Sequence, residues 1–117
     1  MLYKWNGTWT ESTLDSSIDT DVPSVAIDRN GALHIAYVDK DNAELKYATN
    51  ATGSWVIETL GDAANDQSAQ TAISVHPTTN AVHIIAVSGS MSTAGLKHYT
   101  NETGNWLNST ISNPLEQ

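Results

Sequence analysis

The sequence contains no cysteine and no phenylalanine, and only five basic residues stand against thirteen acidic ones. Without cysteine, disulfides and thiolate metal sites are both excluded, and the redox compartment stays open. A net charge of −8 provides none of the clustered Lys/Arg that nucleic acid or an anionic membrane requires, so neither is expected as a partner. No apolar run approaches the ~20 residues of a membrane-spanning helix. The opening MLYKWNGTW also lacks the apolar core of a secretory signal. The Ala/Glu/Lys/Leu bias of helical proteins is missing too. Four tryptophans and abundant Thr and Asn stand in its place, a composition that leans to β structure. The length suits one small domain with a modest core.

Taken in order, the chain alternates short apolar runs with turn signals. Leu2–Trp5 and Trp9–Leu14 flank Asn6-Gly7-Thr8, a hairpin signal because Asn and Gly tolerate positive φ. Residues 15–21 (DSSIDTD) read as an acidic loop. Strands are expected at 24–28, 32–38, 44–49 and 55–60, separated by Arg29-Asn30-Gly31, by residues 39–42 (DKDN) and by residues 50–54 (NATGS). A second acidic loop covers 61–70. Four further strands are then expected at 73–75, 82–87, 96–100 and 106–111. His76-Pro77 falls in a turn, where Pro need not donate to a ladder.

The second set of four strands repeats the first. LKYATNATGSW from Leu45 aligns with LKHYTNETGNW from Leu96, and His34 and Ile27 align with His83 and Val75. Trp9, Trp55 and Trp106 form a parallel series, each opening the last strand of a unit. Four strands per repeat of ~45–50 residues is the period of a β-propeller blade. The runs Val25-Ala26-Ile27 and His83–Val87 are nearly continuously apolar, as expected of inner strands covered on both faces.

The unit SVAID…GALHIAYVD…ELKYATN…GSW resembles the blades of bacterial and archaeal BNR/sialidase-like β-propeller proteins, over nearly the whole chain. The family's Asp-box is absent, and Asp28-Arg29-Asn30-Gly31 matches it only loosely. The resemblance implies an all-β, partial β-propeller of four-stranded antiparallel meander blades. Residues 1–14 would form the outer half of a blade, 22–60 and 71–112 two full blades, and 113–117 a tail resembling a cloning remnant. Such propellers host lectins, hydrolases and plain scaffolds. A ring closes with about four to eight blades. Two and a half blades are therefore expected either to belong to a longer propeller or to assemble with copies of themselves through open edges and blade faces.

Candidate functional residues divide into two groups. His34, His83, Trp9, Trp55 and Trp106 follow the repeat, and a residue that follows a repeat is expected to be structural: a hydrogen-bonded imidazole and a packing anchor in each unit. His76 and His98 break it, since Asp28 and Tyr47 stand at the matching places. No histidine pair has metal-ligand spacing on one strand face. The second group is acidic: Asp19, Asp21, Asp62 and Asp66 in the connections between units, and Asp39 and Asp41, with Asn42 and Glu44, within the first unit. In the resembled family these connections share the ligand rim. They are therefore the candidate ligand-binding residues, with Ca²⁺ the one cofactor considered, although the 39–44 segment lacks the spacing of an EF-hand loop.

Asn6, Asn50, Asn101 and Asn108 fit the glycosylation sequon, but turn geometry alone asks for Asn in the first three. Sialidase chemistry needs three arginines, and the chain has Arg29 alone. No catalytic residues are assigned. The expectation is a non-catalytic binding or scaffolding module, extracellular or at the cell surface, with a carbohydrate or protein ligand. The alternatives are an inactive fragment of a larger propeller enzyme and a self-assembling repeat without ligand.

Overall fold

The computed structural model describes residues 2–5, 9–12, 20–63, 70–88 and 95–112. Among them are ten strands and no helix. β1 (Leu2–Trp5) and β2 (Trp9–Ser12) form a hairpin that pairs Trp5 with Trp9. A first four-stranded antiparallel meander follows: β3 (Thr20–Ile27), β4 (Leu33–Asp39), β5 (Glu44–Thr49) and β6 (Val56–Asp62). The second comprises β7 (Thr71–Val75), β8 (Val82–Ser88), β9 (Gly95–Thr100) and β10 (Leu107–Ser112). The expected count of ten strands and their order are what the structure has. The expected tail at 113–117 lies outside the described residues.

Most boundaries differ from expectation by one or two residues, and three of the differences have a local reason. β3 starts at Thr20, inside the segment read as a loop, and carries Pro23 in its interior. An edge strand tolerates this proline, and the register shifts between Asp21 and Ser24, on either side of it. Asp39 closes β4 rather than opening a loop. Asp62 closes β6, which runs past Leu60 by means of a register shift at Leu45/Lys46.

The registers define which residues share a face. On the first sheet, Ser24, Ala36, Tyr47 and Glu58 form one row across the four strands; we call this side the front. Val25, Ile35, Ala48 and Ile57 form a row on the back. The matching rows of the second sheet are Ala72, Ile85, His98 and Ser109 at the front, and Ile73, Ile84, Tyr99 and Asn108 at the back. The core joins Ala36, Val38, Leu45 and Tyr47 from the front of the first sheet to Val82, Ile84, Ala86 and Tyr99 from the back of the second. The two sheets therefore stack front to back, in the same sense, rather than face to face. β7 lies against β3 and β4.

This stacking corrects one expectation. β3 is not covered on both faces, since Val25 and Ile27 are 58% and 67% exposed, whereas β4 is buried on both from Ala36 to Asp39. In β8, fully buried Ile84 and Ala86 alternate with half-buried His83, Ile85 and Val87. On the back of the first sheet, Tyr37 of β4 and Ala48 of β5 are nevertheless buried, so only the β3 part of that face is open.

One close approach sets the distance between the sheets. A Cβ built on Gly61 of β6 would stand 2.7 Å from the Tyr99 hydroxyl of β9. Glycine is required there so that the Tyr99 ring can lie against the first sheet. Gly61→Ala is expected to destabilise the fold by about 1–3 kcal/mol in denaturant unfolding. Tyr99→Phe, which removes the nearest atom, should recover part of that loss; no recovery would show that the sheets meet elsewhere.

Candidate functional site

The best-connected polar group in the structure begins at the β3–β4 turn. Asp28 is buried at the end of β3. Its Oδ1 accepts hydrogen bonds from the backbone N–H of Asn30 (2.8 Å) and Ala32 (3.0 Å). Gly31 closes the turn at φ +86°, a conformation that suits glycine. With one oxygen committed to the turn, the other is aimed: Oδ2 lies 2.8 Å from Nε2 of buried His34. His34 Nδ1 in turn lies 2.6 Å from the Tyr47 hydroxyl.

The roles follow from charge. The bond from His34, together with the two backbone donors, holds the Asp28 carboxyl below its ordinary value of 3.8 despite burial. Asp28 is thus an acceptor, and His34 donates Nε2–H to it. In a neutral imidazole Nδ1 is then the acceptor, so Tyr47 donates its O–H. Burial raises the Tyr47 pKa, which keeps that proton in place.

The network continues into the second sheet. Trp106, one residue before β10, meets the Tyr47 ring edge-on with centroids 4.9 Å apart. Its Nε1 donates to Glu58 Oε2 at 2.9 Å, and Glu58 is Tyr47's register partner. The indole therefore docks in a slot made by a tyrosine and a glutamate that face each other across β5 and β6.

An Asp–His–hydroxyl relay has the connectivity of a nucleophilic triad. Here the hydroxyl is a buried phenol, 5% exposed and with a raised pKa. It is placed to hold a strand rather than to attack a substrate. His34 was expected to bond between strands, and it does, linking the turn to β5. Sequence reasoning did not name Asp28 and Tyr47 as its partners. The available signal was their joint replacement by histidine in the second unit.

In that unit His76 takes the place of Asp28, and its Nδ1 accepts from the N–H of Thr78 (3.1 Å) and Thr79 (3.3 Å). His83 Nδ1 and His98 Nε2 stand 3.0 Å apart, with the rings stacked at 5.2 Å. The turns of the two units also clasp each other. Arg29 donates from Nη1 to the Thr78 carbonyl (2.9 Å), and its N–H to Asn80 Oδ1 (3.3 Å). Asn50 and Asn101, two of the sequon asparagines, accept the N–H of Leu33 and of Val82 through Oδ1, each at 2.8 Å.

The acidic candidates sort differently. Thr20, Asp39, Glu44 and Asp62 form one row at one end of the first sheet, and Asp21 stands one step inward. Asp39 is fully buried. It accepts from the N–H of Asp41 and Asn42 and from the Asn42 amide, with Lys46 Nζ at 3.7 Å. The Asn42 bond leads the causes that lower its pKa. Asp39 thus shapes the β4–β5 turn. Asp41 and Asp62 are exposed. Asp19 and Asp66 lie outside the described residues, as does the side chain of Asp21. Among the described residues, no three His, Cys, Asp or Glu are grouped to hold a metal ion.

Compared with protein-family models, curated proteins and solved structures, the chain gives no match.

Because the folded pKa of Asp28 is depressed, its contribution to stability is full above the ordinary value of 3.8. It is lost as the pH falls through the lower folded value. Asp28→Asn should therefore lower the unfolding temperature at pH 7 and flatten its dependence below about pH 4. An acid profile identical to that of the unmutated chain would remove Asp28 from the account.

Proposed function

We propose that the chain is a partial β-propeller of the BNR/sialidase-like kind, working as a non-catalytic scaffolding module that binds protein. The observation that carries this reading is the front of the second sheet. On the first sheet, Ala36, Val38 and Leu45 are fully buried by the sheet that follows. Their counterparts Ile85, Val87 and Leu96 remain apolar although no described sheet covers them. Leu96 is 38% exposed there, and Leu107 and Ile111 beside it are 51% and 55% exposed. A surface meant for water would carry polar residues at those places.

Protein is favoured over carbohydrate by the kind of side chain on offer. Sugar faces pack on aromatic rings, and the large exposed apolar residues among those whose side chains are described are all aliphatic, a set that leaves out Tyr3, Trp5 and Trp9. Trp106 is occupied by Tyr47 and Glu58, and Tyr37, Tyr47 and Tyr99 are buried. The residues with chemistry to offer, Asp28, His34 and Tyr47, are bound to one another.

A glycan array probed with labelled chain is expected to give no saturable signal, and a panel of chromogenic glycosides no turnover. Saturable glycan binding that survives Leu107→Asp would overturn the protein-binding reading, and turnover would overturn the non-catalytic one.

A further inference from the structure

We infer that the open front of the second sheet receives the back of β3 from a second copy of this chain. The inference rests on the docking-face reading above and names the occupant. The internal joint shows what fits such a front. Against the front of β3 and β4 lies β7, whose Ile73 and Val75 point into the core, and Thr71 Oγ1 donates to Ser24 Oγ at 3.1 Å. The repeat counterparts of Ile73 and Val75 are Val25 and Ile27, the two most exposed large apolar side chains among those described. The counterpart of Ser24 is Ala72, exposed on the front of β7 beside half-buried Ile85.

Each copy therefore carries both halves of the β3/β7 part of that joint, while Tyr37 and Ala48, farther across the back, are already buried within the chain. The donor half is the Val25/Ile27 stripe, and the acceptor half is the Ala72/Ile85 stripe. Both are apolar and uncharged, so their contact brings no like charges together in a chain of net charge −8. The joint is heterologous, front to back, because the two halves are different surfaces. It can propagate from copy to copy, and a two-fold dimer cannot satisfy it in the same way.

The test uses light scattering on a sizing column across a concentration series, with circular dichroism as the check on folding. The unmutated chain is expected to associate as concentration rises. Ile27→Asp and Ala72→Asp, each at an exposed site, should separately weaken association by about tenfold or more, because each buries a charge in an apolar joint. Mixing the two variants should regain a one-to-one pair and nothing larger, since each supplies the half that the other lacks. Val25→Asp replaces Ile27→Asp if the latter fails to fold. A chain that stays monomeric to about 1 mM overturns docking of a second copy. So does association that either variant leaves intact, or a mixture that fails to pair. The protein-binding reading falls separately, to the glycan array.

Discussion

A four-stranded sheet with apolar residues on both faces cannot bury either face alone. Every other feature of this structure answers that constraint. The chain meets it by repetition, so that the front of one sheet takes the back of the next. Because the two stacked sheets are copies, the solution is one-directional. It leaves one front and part of one back without a described neighbour. Alternation of buried and half-buried residues along β8 is the direct trace of that imbalance.

Polar groups fix the relative position of the sheets. Hydrophobic contact between Ile84 and the front of the first sheet has little direction. The series Asp28, His34, Tyr47, Trp106 and Glu58 has a great deal. Asp28, His34 and Tyr47 are hydrogen-bonded to one another, which is the condition for burying a carboxylate, an imidazole and a phenol at acceptable cost, and the Tyr47 ring then meets Trp106, which bonds Glu58. The clasp of Arg29 on the 76–80 turn adds a second fixed point, between the β3–β4 and β7–β8 turns. In the second unit histidines replace the aspartate and the tyrosine, and the His83–His98 pair lies at an open face. The relay is thus complete where a sheet is covered and altered where it is not.

Much of this was legible in the sequence. Ten strands, their order and the repeat could be read because turn residues punctuate the chain and the two units match at fixed spacing. His34 was legible as a structural imidazole for the same reason. The start of β3 was hidden by Asp19, Thr20 and Asp21, whose polarity says loop although Thr20 and Asp21 pair with β4. The capping role of Asp39 was hidden because a buried carboxylate with satisfied acceptors has the same letter as a solvated one. Front and back could not be told apart, since both rows of an inner strand read as apolar. That distinction arises only from which sheet lies against which.

The two sheets form a single cooperative unit held by the front-to-back joint. Native-state hydrogen exchange tests it most directly, by comparing backbone amides of β4 in the first sheet with those of β8 in the second. One shared opening free energy is expected, lowered equally in both strands by Trp106→Ala. Loss of protection confined to β8, with β4 unchanged, would mean that the first sheet stands on its own, and would contradict it.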